Sequence, residues 1–277
     1  MSSIINDPTT GLDAIEHGGE THVLACLPTH PQMRRRFMPI TAMIPVIPRH
    51  EWKPVDMRPV FGDEHVLSQK NHGSCTGFAS TGALMKCRAM SSSNHFVKLS
   101  GSFTYSYING GRDQGASIGD TLDSLMVHGT CTDEECPWDK IYPRQIPDSA
   151  RQSAQRFKVL EGYRVETFDE AVSAILIGNF TIVYAIMVGR TFDNLDAEGV
   201  VGYDPGAGNH AVHACGLYLS KRWGMCLDGW NSWDTTWGDR GRFRSAQKHW
   251  DGVSQDAYAV RVSSLDPNAP QPPVATD

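Results

Sequence analysis

Two β-branched and aromatic runs, "NHAVHACGLYL" from Asn209 and "RWGMCLDGWNSW" from Arg222, stand on either side of Leu-Ser-Lys-Arg. Runs of this kind around a short polar break predict a β-hairpin, and few folds accommodate one so long. Further strands are expected in "FTIVYAIMVG" and "DAYAVRVSS", with one helix, "FDEAVSAILIG", ahead of them. Before about residue 155 the pattern is helical instead. "CTGFASTGALMKCRAM" sets Phe78, Gly82, Met85 and Ala89 on one face, and "SIGDTLDSLMVHG" has an acidic first turn and a glycine stop at Gly129. A helical half followed by a β half is an α+β plan.

The expected organisation is an extended proline-rich arm over residues 1–50, a compact body over 51–265 and a polyproline-type tail over 266–277. Within the body the helical lobe covers about 51–155 and the β lobe about 156–265. Five prolines between Leu27 and Trp52 argue against a helix in the arm. They predict a segment that crosses the surface and meets a partner, or a second copy, rather than a cleft. A net charge of −6 gives no reason to bind nucleic acid or an anionic membrane. The first twenty residues lack the charged and apolar regions of a secretory signal, and the apolar stretch 171–189 is broken by Gly178 and Asn179. The expectation is a cytoplasmic protein or one packed in a virus particle. Its seven cysteines should then be mostly thiols, and none is spaced for zinc; no metal or cofactor is expected.

One cysteine stands apart. In "SQKNHGSCTGFAS", Cys75 follows Gly73-Ser74 and opens the first helix. Free N–H groups at a helix N-terminus favour a thiolate, the nucleophilic form. Such a nucleophile needs a base. His210 lies at the mouth of a strand, 135 residues on; His213 must point to the opposite strand face. A hairpin turn centred between Ser220 and Lys221 sets His210 opposite Asn231, whose amide would fix the imidazole tautomer, and Cys215 opposite Cys226. Trp233 would shield that bond from water. Gln69 offers an amide donor that, with the Cys75 N–H, suits an oxyanion.

"QKNHGSCTGFA", "GNHAVHACGL" and "NSWDTTWGDRGRF" together resemble the papain-like cysteine peptidases, in the form found in bacterial and viral members. The resemblance spans about residues 54–262. It implies a papain-like two-lobe fold, a helical lobe and a β-barrel-like lobe with the active-site cleft between them. It further implies that Cys75, His210, Asn231 and Gln69 are catalytic and that the backbone of Gly115 and Ala116 binds an extended protein or peptide substrate. Trp233 would contribute to that binding. Four residues depart from the family pattern: Thr76 for Trp, His72 for a disulfide cysteine, Ala116 for Gly, and Asp234 for the Gly after Asn-Ser-Trp. The arm is also short, and lacks the helical pattern, for an inhibitory cathepsin propeptide. Three readings stand: a cysteine endopeptidase, a papain-fold structural or adaptor component of a larger assembly, and a peptidoglycan or isopeptide hydrolase.

Overall fold

The computed structural model describes residues 4–91, 96–178, 180–189, 191–203, 208–251 and 256–262. The expected tail, 266–277, lies outside them. The amino-terminal segment is not a plain extended arm. Ile4–Asn6 (β1), Asp13–His17 (β2) and Glu20–Val23 (β3) form an antiparallel meander, followed by Cys26–Leu27 (β4). The prolines then shape short pieces, beginning with Pro31–Arg34 (α1), where Pro31 takes the first helical position that needs no N–H donor. Phe37, Ile40 and Ile44 are buried in the cores of the body, so this stretch is part of the fold.

The helical lobe contains Cys75–Ser91 (α2), Gly101–Ser106 (α3), Ala116–Ser117 (β5), Ile118–Val127 (α4) and Asp148–Ser153 (α5). The Ser117 hydroxyl caps α4 by accepting from the Asp120 N–H, and Gly129 takes the positive φ expected of a helix stop. The apolar spacing of α2 suggests one buried face, yet residues 75–87 are buried on every side. Small residues make this possible. A Cβ on Gly77 would press on the carbonyl of Gly101, and one on Gly82 would run into the His213 ring.

Glu161–Arg164 (β6), Phe168–Ile177 (α6), Thr181–Val188 (β7), Gly208–Ser220 (β8), Gly224–Trp230 (β9), Arg242–Ala246 (β10), Gln247–Asp251 (α7) and Ala257–Arg261 (β11) build the β lobe. Its six strands pair antiparallel in the order β10-β9-β8-β7-β11-β6, an open sheet with β10 and β6 at the edges. One face covers a core of residues such as Val172, Ile182, Val212, Trp237 and Phe243. The other receives α2 through Phe78, Ala83, Leu84, Val183, Ala211 and Val260.

The hairpin register differs from the expected one. Ser220 pairs with Gly224 across three loop residues, and Gly224 has φ +72°, the left-handed residue that closes a three-residue hairpin loop. A bulge between Ala214 and Gly216 then leaves Cys215 unpaired, and Cys226 faces Tyr218. Cys215 packs with Phe61, Val66 and Trp230, whereas Cys226 packs with Val200 and Ala246. All seven cysteines are buried thiols.

Candidate active site

Gly73 and Ser74 bring the chain into α2, and Cys75 is its first residue. The thiol is fully buried, which pushes its pKa up to about 11; hydrogen bonds from the main chain of Ala211, Ala25 and Thr76 pull the other way. Ala211 follows His210, so the sulfur lies against the start of the β8 segment that carries the imidazole.

His210 Nε2 is 2.7 Å from Asn231 Oδ1. The same oxygen accepts from the Ser232 N–H at 2.8 Å, which fixes the amide orientation, so Nε2 must donate and Nδ1 is left as the basic nitrogen. Nδ1 is buried and takes no hydrogen bond. Burial holds the His210 pKa down at about 4, against the raising effect of Asn231. The wrong register therefore did not cost the pair. The β8–β9 ladder ends at His213 and Trp230, and the chain leaves it at Asn231, whose N–H goes to Gly241 O at 2.9 Å. Trp233 lies over His210 with ring centroids 4.9 Å apart and is itself fully buried. His213 packs on the α2 side of the sheet against Trp230.

Gln69 is buried and fully used. Its Nε2 donates to His72 O at 2.9 Å and to Val23 O at 3.2 Å, and its Oε1 accepts from Ser232 Oγ at 2.8 Å. Gln69 N also donates to Ser232 O at 2.9 Å, tying the loop before α2 to the segment after Asn231. Ser232 in this role carried no signal in the sequence beyond its place in Asn-Ser-Trp.

The amino-terminal segment corrects a second expectation: it runs through the cleft. Val23 O accepts from Gln69, Ala25 lies against Cys75, and Ala116 N donates to Ala25 O at 3.2 Å. β4 pairs with β5 in parallel, Cys26 opposite Ala116 and Leu27 opposite Ser117. His22 stacks on Trp233 at 4.8 Å and 12° between planes, and its own pKa is held down at about 4 by burial. Gly115 has φ +87°, and a Cβ there would press on Ala25. Of the departures from the family pattern, Asp234 has φ +69°, a backbone that Asp tolerates better than most side chains, and its carboxylate accepts from the Thr235 N–H.

A helical lobe and a β lobe meeting at such a cleft make the papain-like fold. The chain belongs to the papain family of cysteine proteases, whose family model matches residues 53–261. It is thus a cysteine-type peptidase, a hydrolase. Similar solved structures include xylellain, a cysteine protease from Xylella fastidiosa, at 21% identity and TM-score 0.68 over 86% of this chain and 95% of that one. Digestive procathepsin L 3 of Tenebrio molitor larval midgut aligns at 16% and 0.61 over 84% and 75%. The bromelain protease from Ananas comosus aligns at 18% and 0.60 over 78% and 99%. No curated protein matches the chain in sequence. Among the described residues no helix is long and apolar enough to cross a membrane.

Proposed function

We propose that the chain is a cysteine endopeptidase held latent by its own residues 20–27. Cys75 attacks a peptide carbonyl, and Gln69 with the Cys75 N–H receives the oxyanion. His210 takes the thiol proton and returns it to the leaving amine as the C–N bond breaks. Water then hydrolyses the thioacyl enzyme with His210 as base again, while Asn231 holds the imidazole in the productive tautomer. Gly115 and Ala116 carry the substrate strand. Trp233 covers the His210–Asn231 bond and offers its other face once His22 lifts.

The seat of Val23 carries this reading. A main-chain carbonyl already occupies the Gln69 amide, beside a segment that lies against Cys75. A substrate carbonyl in that seat would meet the same donor. Latency follows from the same contact, and the neutral Cys75 and His210 of the covered site suit it. The scaffold reading needs a free arm, and Phe37, Ile40 and Ile44 are committed to this body.

The test is to expel the segment without touching the machinery. Ala25 Cβ lies 3.0 Å from where a Cβ on Gly73 or Gly115 would stand, so an arginine cannot fit there. Full-length Ala25→Arg should hydrolyse a fluorogenic peptide that the parent chain leaves intact, and adding Cys75→Ala should abolish this with the circular dichroism spectrum unchanged. Hydrolysis that survives Cys75→Ala, or none in Ala25→Arg, would defeat the reading.

A further inference from the structure

Asp113 touches two elements of the helical lobe that line the cleft. It sits in the loop before β5, with its side chain only 9% exposed. Its Oδ1 accepts from the Gly73 N–H at 3.0 Å and from Tyr105 Oη at 2.9 Å, and its Oδ2 lies 3.2 Å from His72 Nδ1. Tyr105, fully buried in α3, accepts in turn from the Gly115 N–H at 3.0 Å. One carboxylate therefore reaches the loop that delivers Cys75 and, through one phenol, the strand that carries Gly115 and Ala116. The two elements approach closely here: a Cβ on Gly73 would stand 3.0 Å from Asp113 Oδ1 and 3.4 Å from Gly115 N.

We propose that Asp113 is a positioning residue for catalysis, fixing the distance between the Cys75 loop and the Gly115–Ala116 strand through Gly73, His72 and Tyr105. The proposal rests on the reading of Cys75 as nucleophile and of Ala116 as the substrate's anchor. A peptide hung on Ala116 presents its carbonyl to the sulfur only if those two elements keep their spacing, and a displacement of about 1 Å costs on the order of a hundredfold in rate. Hydrogen bonds to an ionised acceptor are the stiffer kind, about twice as strong as neutral ones. Asp113 is not an activator of the thiol, because its negative charge acts to raise the Cys75 pKa. Its value to the site is geometric.

Two measurements on full-length protein test this. In the parent chain, Asp113→Ala should speed amide hydrogen exchange at Gly73 and Gly115 by about tenfold. Asp113→Asn, which keeps an acceptor oxygen, should restore most of the protection. In the Ala25→Arg chain, Asp113→Ala should lower kcat/KM for a peptide by about a hundredfold with a raised KM. Alkylation of Cys75 by iodoacetamide, which needs no strand, should change far less. Tyr105→Phe should reproduce part of the peptide effect, and Asp113→Asn should recover most of the activity. Unchanged exchange at both glycines overturns the proposal. So does a parallel fall in hydrolysis and alkylation, which would mean general damage to the site. If exchange responds as expected but Ala25→Arg never hydrolyses peptide, the latent-endopeptidase reading fails and Asp113 is a structural tie only.

Discussion

At Gln69 one amide divides its bonds among its own loop, the opposite lobe and the amino-terminal segment, through His72 O, Ser232 Oγ and Val23 O. On the proposed reading, the bond to Val23 is the one a substrate would replace. In full-length Ala25→Arg, Gln69→Ala should therefore cut kcat by about 10²–10³, the usual cost of a lost oxyanion donor. A change confined to KM would remove that role. Asn231→Ala should reduce turnover less than His210→Ala, since it orients the base and moves no proton; equal losses would mean that Asn231 does more than orient. Cys75, His210, Asn231 and Gln69 could be singled out as candidates in the sequence because each stands in an ordered motif. Asp113 was not. In "GRDQGAS" it looks like any solvated loop carboxylate, and only the fold brings it to Gly73 and Tyr105.

Helix α2 and strands β8 and β9 show how far spacing reads as structure. The position and type of all three follow from apolar pattern and glycine stops. Their detailed fit does not, because it depends on backbone conformations that residue types do not dictate: a left-handed Gly224 lengthens the loop, and the bulge at Cys215 shifts the ladder. Asn231 reached His210 by leaving the strand, not by pairing in it. Packing is equally local. Gly82 faces the His213 ring across a buried contact, so Gly82→Val should destabilise the fold by about 1–3 kcal/mol through overpacking, measured by denaturant unfolding. An unchanged unfolding midpoint would mean that α2 does not pack there as closely as described.

Across the whole molecule, the seat of residues 20–27 was the least legible feature. "ETHVLACL" has no catalytic pattern, and its pairing with β5 joins positions ninety residues apart, Cys26 and Ala116. Its protonation gives a testable pH dependence. His22 and His210 titrate near 4 in the covered site, below the ordinary 6.5, so the uncovered state binds more protons between those values. Cys75, raised to about 11 from an ordinary 9.0, favours the covered state until the thiol of the uncovered state ionises. Covering should thus be strongest between about pH 6.5 and 9 and weaken as pH falls toward 4. Burial is the largest influence on His22; the charge of Glu20 and a hydrogen bond to the Lys70 main chain raise its pKa, and the charges of His17 and Lys70 lower it. Iodoacetamide labelling of Cys75, corrected for the intrinsic thiolate fraction, should report this; labelling that is flat or falls from pH 6.5 to 4 would contradict it. Finally, Phe37 anchors the chain a dozen residues beyond Ala25. A lifted segment stays tethered beside its seat, at an effective concentration on the order of millimolar whatever the protein concentration. On the proposed reading, dilution would not switch this protein on, and a peptide at micromolar levels would compete poorly for the site. A cut in the chain between Leu27 and Pro31 would turn a leashed occupant into one that diffuses away.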